Sequence, residues 1–160
     1  MLALTKKVDY GLIALCHLAN HRDEVATARV MAERYHLPPA MLMNVMKSVA
    51  QAGLVRSSRG ARGGYELARR PEEITLNAVI EAIEGPVRFV QCVVIDGEAG
   101  PHQQCELSST CPVSMPAHRL HAKLKHFLSE VTLADIASDP TFDHRPAMAE
   151  IGLALTGRGS

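Results

Sequence analysis

Apolar residues recur at helical spacing from the start of the chain. Val8, Leu12 and Leu15 follow one another at intervals of four and three residues, which is the spacing of one face of an α-helix. Thr5 stands just before this pattern and can cap the start of the helix. Polar residues at 20–23 interrupt the pattern and are expected to end the helix.

Two shorter helical patterns follow, separated by a proline-containing turn. The first is predicted from about residue 27 to 35, with Val30 and Met31 facing inward. Pro39 suits the first turn of the next helix, and Gly53 is placed to end it. This third helix carries one apolar stripe, formed by Leu42, Val45, Met46 and Val49. Two short helices joined by a tight turn are typical of a helix-turn-helix.

Residues 54–69 predict a β-hairpin directly after the third helix. Two short strand-like segments flank a glycine-rich tip that carries Arg59 and Arg62. Glycines permit a tight reversal, and the two arginines could reach phosphates or a minor groove. An ordinary surface hairpin with solubilising arginines is the alternative, but its position after a helix-turn-helix favours a DNA-binding wing.

The third helix is then the candidate recognition helix. Such a helix lays its outward face in the major groove of DNA, with its N-terminal residues foremost. Asn44 could pair with adenine, a methionine or alanine could meet a thymine methyl group, and a lysine could bind phosphate or guanine. The residues predicted on this face are Pro39, Ala40, Met43, Asn44 and Lys47.

The C-terminal half predicts a helix, a long loop and another helix. Thr75 can cap the fourth helix, which Gly85 and Pro86 end, and residues 87–115 have no sustained period. Pro116 opens the next helix, whose apolar stripe is Leu120, Leu124, Phe127, Leu128 and Val131. The small N-terminal domain offers limited surface to cover this stripe, so we interpret it as a dimerisation helix. Packing within one chain is the alternative.

The predicted fold is mainly α-helical with one small β-hairpin. A winged helix-turn-helix DNA-binding domain occupies residues 1–85, and a cysteine-containing loop occupies 86–115. The long dimerisation helix spans 116–137, and 138–160 form a C-terminal tail.

Charge is distributed unevenly although the net charge is zero. Residues 1–70 hold eleven Lys and Arg against five Asp and Glu, a net +6, while residues 71–160 hold six against twelve, a net −6. This asymmetry is expected when one part of a chain meets a polyanion. Charge that merely solvates exposed faces would give a similar count.

Composition narrows the class of protein further. With 47% apolar residues over 160 positions, the chain can bury a core without a disulfide scaffold. No apolar run is long enough for a membrane span, and the first residues do not resemble a signal peptide. We therefore expect a cytoplasmic protein with reduced thiols. In that setting, clustered cysteines favour metal binding or redox sensing.

Three of the four cysteines, Cys92, Cys105 and Cys111, lie in the long loop. They could act together as thiolate ligands or as a redox unit. Twelve and five residues separate them, whereas structural zinc sites normally use pairs spaced by two to four residues. Cys16 lies in the first helix beside Leu15 and is expected to be a small core residue.

Taken together, these segments resemble the Rrf-type winged-helix regulators, the family of IscR, NsrR and RirA. The resemblance covers about residues 1–137. It rests on the segments at 4–10, 37–38, 52–55, 59–65, 80–85 and 131–135 and on the three-cysteine loop. It implies a homodimeric bacterial transcription factor whose loop binds an iron-sulfur cluster, either [2Fe-2S] or [4Fe-4S], with the cluster state controlling DNA binding.

The resemblance also bears on the fourth cluster ligand. IscR-like members have a histidine three residues after the last cysteine, where this chain has Ser114. NsrR-like members use an aspartate in the first helix of the other subunit, and Asp9 occupies the matching position. Asp9 could equally be a favourable charge in the first turn of a helix. His102 and Glu106 are further candidates, and the segment at 96–102 lengthens the first gap between cysteines.

The function expected from the sequence is transcriptional regulation, more often repression than activation, by a non-enzymatic homodimer that binds double-stranded DNA. The signal could be iron-sulfur status, nitric oxide or redox stress. A cluster-free winged-helix regulator with a thiol or disulfide switch is one alternative. A redox or electron-transfer protein is another, although no substrate site accompanies the cysteines. Zinc remains an alternative to the cluster.

Overall fold

The computed structural model describes residues 4–22, 24–60, 63–87 and 110–138. Within these ranges the chain is mostly helical and has one two-stranded antiparallel sheet. The helices are α1 Lys6–Asn20, α2 Ala28–Tyr35, α3 Pro39–Gln51, α4 Leu76–Glu84, α5 Ser114–Glu130 and α6 Leu133–Ala137. The strands are β1 Val55–Ser58 and β2 Gly64–Leu67, followed by a 3₁₀ turn at Pro71–Glu73.

Side-chain caps begin the first, second and fourth helices. The hydroxyl oxygens of Thr5, Thr27 and Thr75 each accept a hydrogen bond from a backbone N–H three residues ahead. Such a cap satisfies one of the amide donors that the first helical turn leaves unpaired. The caps predicted at Thr5 and Thr75 are confirmed. Gly53 takes a left-handed conformation with φ of 71° just after α3, which confirms its predicted place at the helix end.

The core lies where α1 packs against α3, α4 and α6. The predicted apolar stripe of α3 is buried, with exposures of 0 to 3%. On α2 the prediction is only partly right, because Met31 is buried and Val30 is 53% exposed. The buried residues of α2 are Ala28, Met31 and Ala32, which share one face at helical spacing. Val30 lies outside that set and faces solvent.

The hairpin is confirmed as a wing beside the helices. Its strands pair in register from Val55 opposite Leu67 to Ser58 opposite Gly64. The chain before α2 joins its edge, because Tyr65 donates its backbone N–H to the carbonyl of Ala26 at 2.8 Å. A Cβ atom at position 64 would lie 2.8 Å from that carbonyl oxygen, so glycine is needed for this approach.

The predicted single helix over 116–137 is wrong in its extent. The first helix of this region begins at Ser114 and ends at Glu130, and α6 starts afresh after Thr132. Thr132 caps α6 in a reciprocal arrangement with Asp135. On either side of this break, Leu76 donates its backbone N–H to the Val131 carbonyl at 2.8 Å. Leu133 likewise donates to the Ile74 carbonyl at 2.7 Å.

Because of these bonds, α6 belongs to the N-terminal domain. Leu133 is 1% exposed in the same apolar cluster as residues of α1 and α3. The side-chain amide of Asn20 donates to the Ala137 carbonyl at 3.3 Å. The domain predicted over residues 1–85 therefore also includes α6, which follows the cysteine-containing segment in the sequence.

Candidate nucleic-acid interface and cysteine site

One side of α3 is buried and the other is open to solvent. Because its apolar stripe packs inward, the predicted recognition residues Pro39, Ala40, Met43, Asn44 and Lys47 are all exposed. Pro38 and Pro39 set the start of the helix in place of a side-chain cap. Met43 is 58% exposed, unlike Met46 on the inward stripe. The face can therefore present an amide, a thioether and an ammonium group to an external partner.

The wing places a further cation near its tip. Arg59 is exposed, while Arg62 lies outside the described residues. Arg56, in β1, forms an ion pair with Glu66 on the facing strand at 3.2 Å. A Cβ atom at Gly63 would collide with the backbone carbonyl oxygen of Ser58, so the backbone of Gly63 packs directly against that of Ser58. Unlike Arg56, Arg59 has no ion pair within the described part of the chain and is available to an external anion.

A groove beside α3 contains a residue that the sequence prediction missed. Lys7 of α1 lines this groove together with Ala40 and Asn44 of the recognition face and with Ile83 of α4. The packing of α1 here depends on Gly11, because a Cβ atom there would collide with Ile83 Cδ1 of α4 and would lie 3.2 Å from Val45 Cγ1 of α3. Lys6 and Lys7 are adjacent in the sequence, which indicates local positive charge. The sequence does not indicate that Lys7 lies beside α3.

The start of α1 is also tied to the end of α4. The Thr5 hydroxyl donates a hydrogen bond to the Glu84 carboxylate at 2.6 Å. Asp9 is exposed in the first turn of α1, where a carboxylate is favourable near the helix N-terminus. Asp9 is therefore accessible from outside the protomer, as it must be if its carboxylate is to bind a cluster on the other subunit.

The described cysteines differ in environment. Cys16 is fully buried in α1, as expected, and burial raises the pKa of its thiol to about 12. Cys111 is partly exposed three residues before α5 begins. Cys92 and Cys105, and the alternative ligands His102 and Glu106, lie outside the described residues. Among the residues that are described, no three potential ligands gather into a metal site.

The outer surface of α5 is rich in apolar side chains. Leu120 and Phe127 are 49% and 57% exposed, and Met115 at the start of the helix is 65% exposed. No residue of this helix is buried. Its one described ion pair to the neighbouring helix joins Lys125 to Glu81 at 3.5 Å. Within the described ranges, no helix is long and apolar enough to cross a bilayer.

Comparison with known proteins identifies related chains. Residues 4–139 match the Rrf2 family, described as iron-dependent transcriptional regulators. NsrR of Halalkalibacterium halodurans, an HTH-type transcriptional regulator, is 27% identical over 137 residues, covering 85% of this chain and 90% of NsrR.

Solved structures agree with the fold. The structure of CymR, the global cysteine regulator of B. subtilis, aligns with a TM-score of 0.66 and 30% identity. The alignment covers 86% of this chain and 98% of CymR. IscR of T. potens aligns with a TM-score of 0.64 and 28% identity, over 86% of this chain and 88% of IscR. The family match over residues 4–139 spans the described helices, the wing and the segment that contains the loop cysteines.

Proposed function

This chain belongs to the Rrf2 family of transcriptional regulators, and we propose that it is a cytoplasmic, homodimeric DNA-binding repressor controlled by an iron-sulfur cluster. Its recognition residues are Pro39, Ala40, Met43, Asn44 and Lys47, with Arg59 and Arg62 on the wing. Cys92, Cys105 and Cys111 hold the cluster, and Asp9 of the other subunit supplies the fourth ligand. The proposal assigns no catalytic reaction to the chain.

The exposed outer face of α3 is the observation that carries the DNA-binding proposal. The core is complete without this face, because the opposite stripe of the helix already packs inward. Asn44 and Lys47 are hydrogen-bonding groups at a spacing that puts them on one side of the helix. The wing extends the same basic half of the chain. An α-helix of this kind fits the major groove, where base edges can be distinguished.

The cluster proposal rests on the family match and on thiolate chemistry. The match is described as iron-dependent and spans all three loop cysteines. Thiolates are the usual protein ligands of iron-sulfur clusters, and the partly exposed position of Cys111 fits this use. The unreactive environment of Cys16 does not. When bound, the cluster would link the three cysteines through iron–thiolate bonds, and its oxidation or loss would change or remove this link.

Dimerisation is supported by the apolar surface of α5. Burying Leu120 and Phe127 against a second copy would remove large apolar side chains from water. Each Å² of apolar surface buried in this way contributes about 25 cal/mol of favourable free energy. A paired α5 would also bring a second chain near the loop cysteines. Cys111 lies close to the start of this helix, and Asp9 is accessible at the start of α1, so both can take part in a shared site.

The proposed control acts through the orientation of the two DNA-binding domains. The C-terminal end of α5 is held on its own domain by the bonds between Leu133 and Ile74 and between Leu76 and Val131. Its N-terminal end, about 25 Å away at 1.5 Å per residue, adjoins Cys111. Restraint of the cysteines can therefore reposition the domains. Recognition helices must reach half-sites about 34 Å or a multiple of it apart, so a small reorientation weakens binding.

Anaerobic purification tests the cluster directly. We expect the wild-type protein to be coloured and to contain iron and sulfide, and Cys111→Ala to lose both. Cys16→Ala is the matched control and should keep them. Asp9→Ala should alter cluster stability or type while the exposed position leaves folding intact. A wild-type protein that stays colourless and iron-free after reconstitution would refute the cluster while leaving the DNA-binding proposal standing.

A cluster-free thiol switch is the second candidate. The similarity to CymR, a global cysteine regulator, favours considering it. In this case iron-free protein would bind DNA with an affinity that changes between thiol-reduced and disulfide-oxidised forms. Equal affinities for the two iron-free forms would exclude the switch.

A further inference from the structure

At least four of the seven arginines that the structure describes in the N-terminal domain have a carboxylate partner. These pairs lie on α2, on the strands of the wing and around the 3₁₀ turn. They are Arg29 with Glu33 at 2.9 Å, Arg56 with Glu66 at 3.2 Å, Arg70 with Glu72 at 3.4 Å and Arg22 with Glu72 at 3.6 Å. Exposed pairs of this kind contribute little stability, but their charges are locally balanced. They add little to the attraction of a polyanion.

A second group of cations has no ion pair within the described part of the chain. It includes Lys7 on α1, Lys47 on α3 and Arg59 on the wing. Lys6 also belongs to it, and Arg69 does too, although Arg69 lines a cleft with Glu66 and Glu73. Cations without an ion pair therefore lie on α3, at the wing and at the start of α1, where the carboxylates of Asp9 and Glu84 also stand.

Lys7 is distinguished from its neighbour by its surroundings. It lines a groove of about 460 Å³ whose other side includes Ala40, Asn44 and Ser48 of α3. Lys6 does not line this groove. Close packing of Gly11 against Ile83 of α4 and Val45 of α3 holds the start of α1 beside the third helix, and Lys7 therefore lies at the flank of that helix.

The edges of the major groove are formed by phosphates. The groove is about 12 Å wide, so DNA seated on Ala40 and Asn44 must carry a phosphate backbone along each side of α3. A lysine on the flank of α3 that forms no ion pair within the described part of the chain is suited to such a phosphate. The apolar floor of the groove, with Val45 and Ile83, can accept the deoxyribose.

We infer that Lys7 binds a backbone phosphate of double-stranded DNA beside the recognition helix. This inference rests on the proposed DNA-binding function and adds α1 to the contact surface. A phosphate contact carries no base information. Lys7 therefore sets affinity and docking position equally for operator and random DNA, whereas Asn44 acts on sequence preference.

The test compares Lys7→Gln with Lys6→Gln on a random-sequence duplex over a series of salt concentrations. Both variants lose one charge from adjacent exposed positions, so general electrostatic attraction changes alike. For Lys7→Gln we expect the slope of log K against log salt to become shallower by about 0.9 for each protomer bound. At 0.1 M salt this corresponds to an affinity about eightfold weaker per protomer. Lys6→Gln should change the slope by less than about 0.3.

Equal slopes for the two variants, or no change for either, would overturn the inference. Failure of the proposed function gives a different result, since the wild-type protein would then bind the duplex weakly and with little dependence on salt. Circular dichroism of both variants should match the wild type, because neither lysine is buried. If only Lys7→Gln lost helical content, the comparison would be repeated with Lys7→Met and Lys6→Met, which remove the charge but keep an unbranched side chain, and the same difference in salt slope is expected.

Discussion

Leu133 provides the sharpest test of how the C-terminal helices are divided. It is 1% exposed in the core of the N-terminal domain, whereas Leu120, thirteen residues earlier on α5, is 49% exposed. Leu133→Ala and Leu120→Ala are therefore the same chemical change in two environments. The first removes core packing, and the second removes side chain from an open surface.

The expected magnitudes are well separated. Truncating a buried leucine loses about 2.4 kcal/mol of transfer free energy at about 0.8 kcal/mol per carbon. The cavity left behind brings typical measured losses to about 2 to 5 kcal/mol. With a urea m-value of about 2 kcal/mol per M, the midpoint for Leu133→Ala should fall by about 1 to 2.5 M. Leu120→Ala should change the stability of an isolated protomer by less than about 0.5 kcal/mol.

Urea unfolding of iron-free, reduced protein, followed by circular dichroism at several protein concentrations, measures both effects. If α5 forms the dimer interface, Leu120→Ala should lower the midpoint mainly by weakening dimerisation, an effect that depends on concentration. A shift below about 0.3 M for Leu133→Ala would contradict the assignment of α6 to the core. So would a concentration-independent loss for Leu120→Ala as large as that for Leu133→Ala.

Three further expectations concern the wing, the α6 cap and the buried thiol. Gly63→Ala should weaken DNA binding in a gel-shift assay, because the added Cβ would meet the backbone of Ser58 and Arg59. Ser57→Ala is the control, and equal DNA affinity for the two variants would contradict the close packing at Gly63. Hydrogen bonds from the side chain and backbone of Thr132 lower the pKa of Asp135, so its stabilising effect is present above about pH 4 and is lost as the pH falls through the folded-state pKa. The stability difference between wild type and Asp135→Asn in urea titrations should thus narrow in acid, and a gap independent of pH would count against the cap. Because burial raises the pKa of the Cys16 thiol to about 12, this thiol should resist alkylation at pH 8 while Cys111 reacts. Mass spectrometry of briefly labelled native protein measures both reactions, and rapid labelling of Cys16 would refute its burial.

The N-terminal half follows closely from local signals in the chain. Threonines that can cap a helix, apolar stripes at helical spacing and a glycine after α3 predict its helices and most of its buried residues. Glycines also mark the wing, because positions 63 and 64 lie too close to other backbone for a side chain. These signals act over a few residues and need no knowledge of distant partners.

The break between α5 and α6 shows where local signals were insufficient. The apolar pattern runs on to Val131, and Thr132 with Asp135 offers a cap that competes with it. The competition is decided by hydrogen bonds from this segment to Ile74 and Leu76, more than fifty residues earlier. Val30 is a second case in which local signals were insufficient. A short helix can carry apolar residues on two faces, and only the face that packs against neighbouring elements is buried.

The chain itself thus specifies the helix-turn-helix, the wing, the exposed face of α3 and the clustering of three cysteines within residues 92–111. Tertiary structure decides which apolar surfaces are covered, draws α6 into the N-terminal core and places Lys7 beside α3. The physical reason is that capping and periodicity are properties of neighbouring residues. Burial and charge balance instead depend on which distant segments pack together.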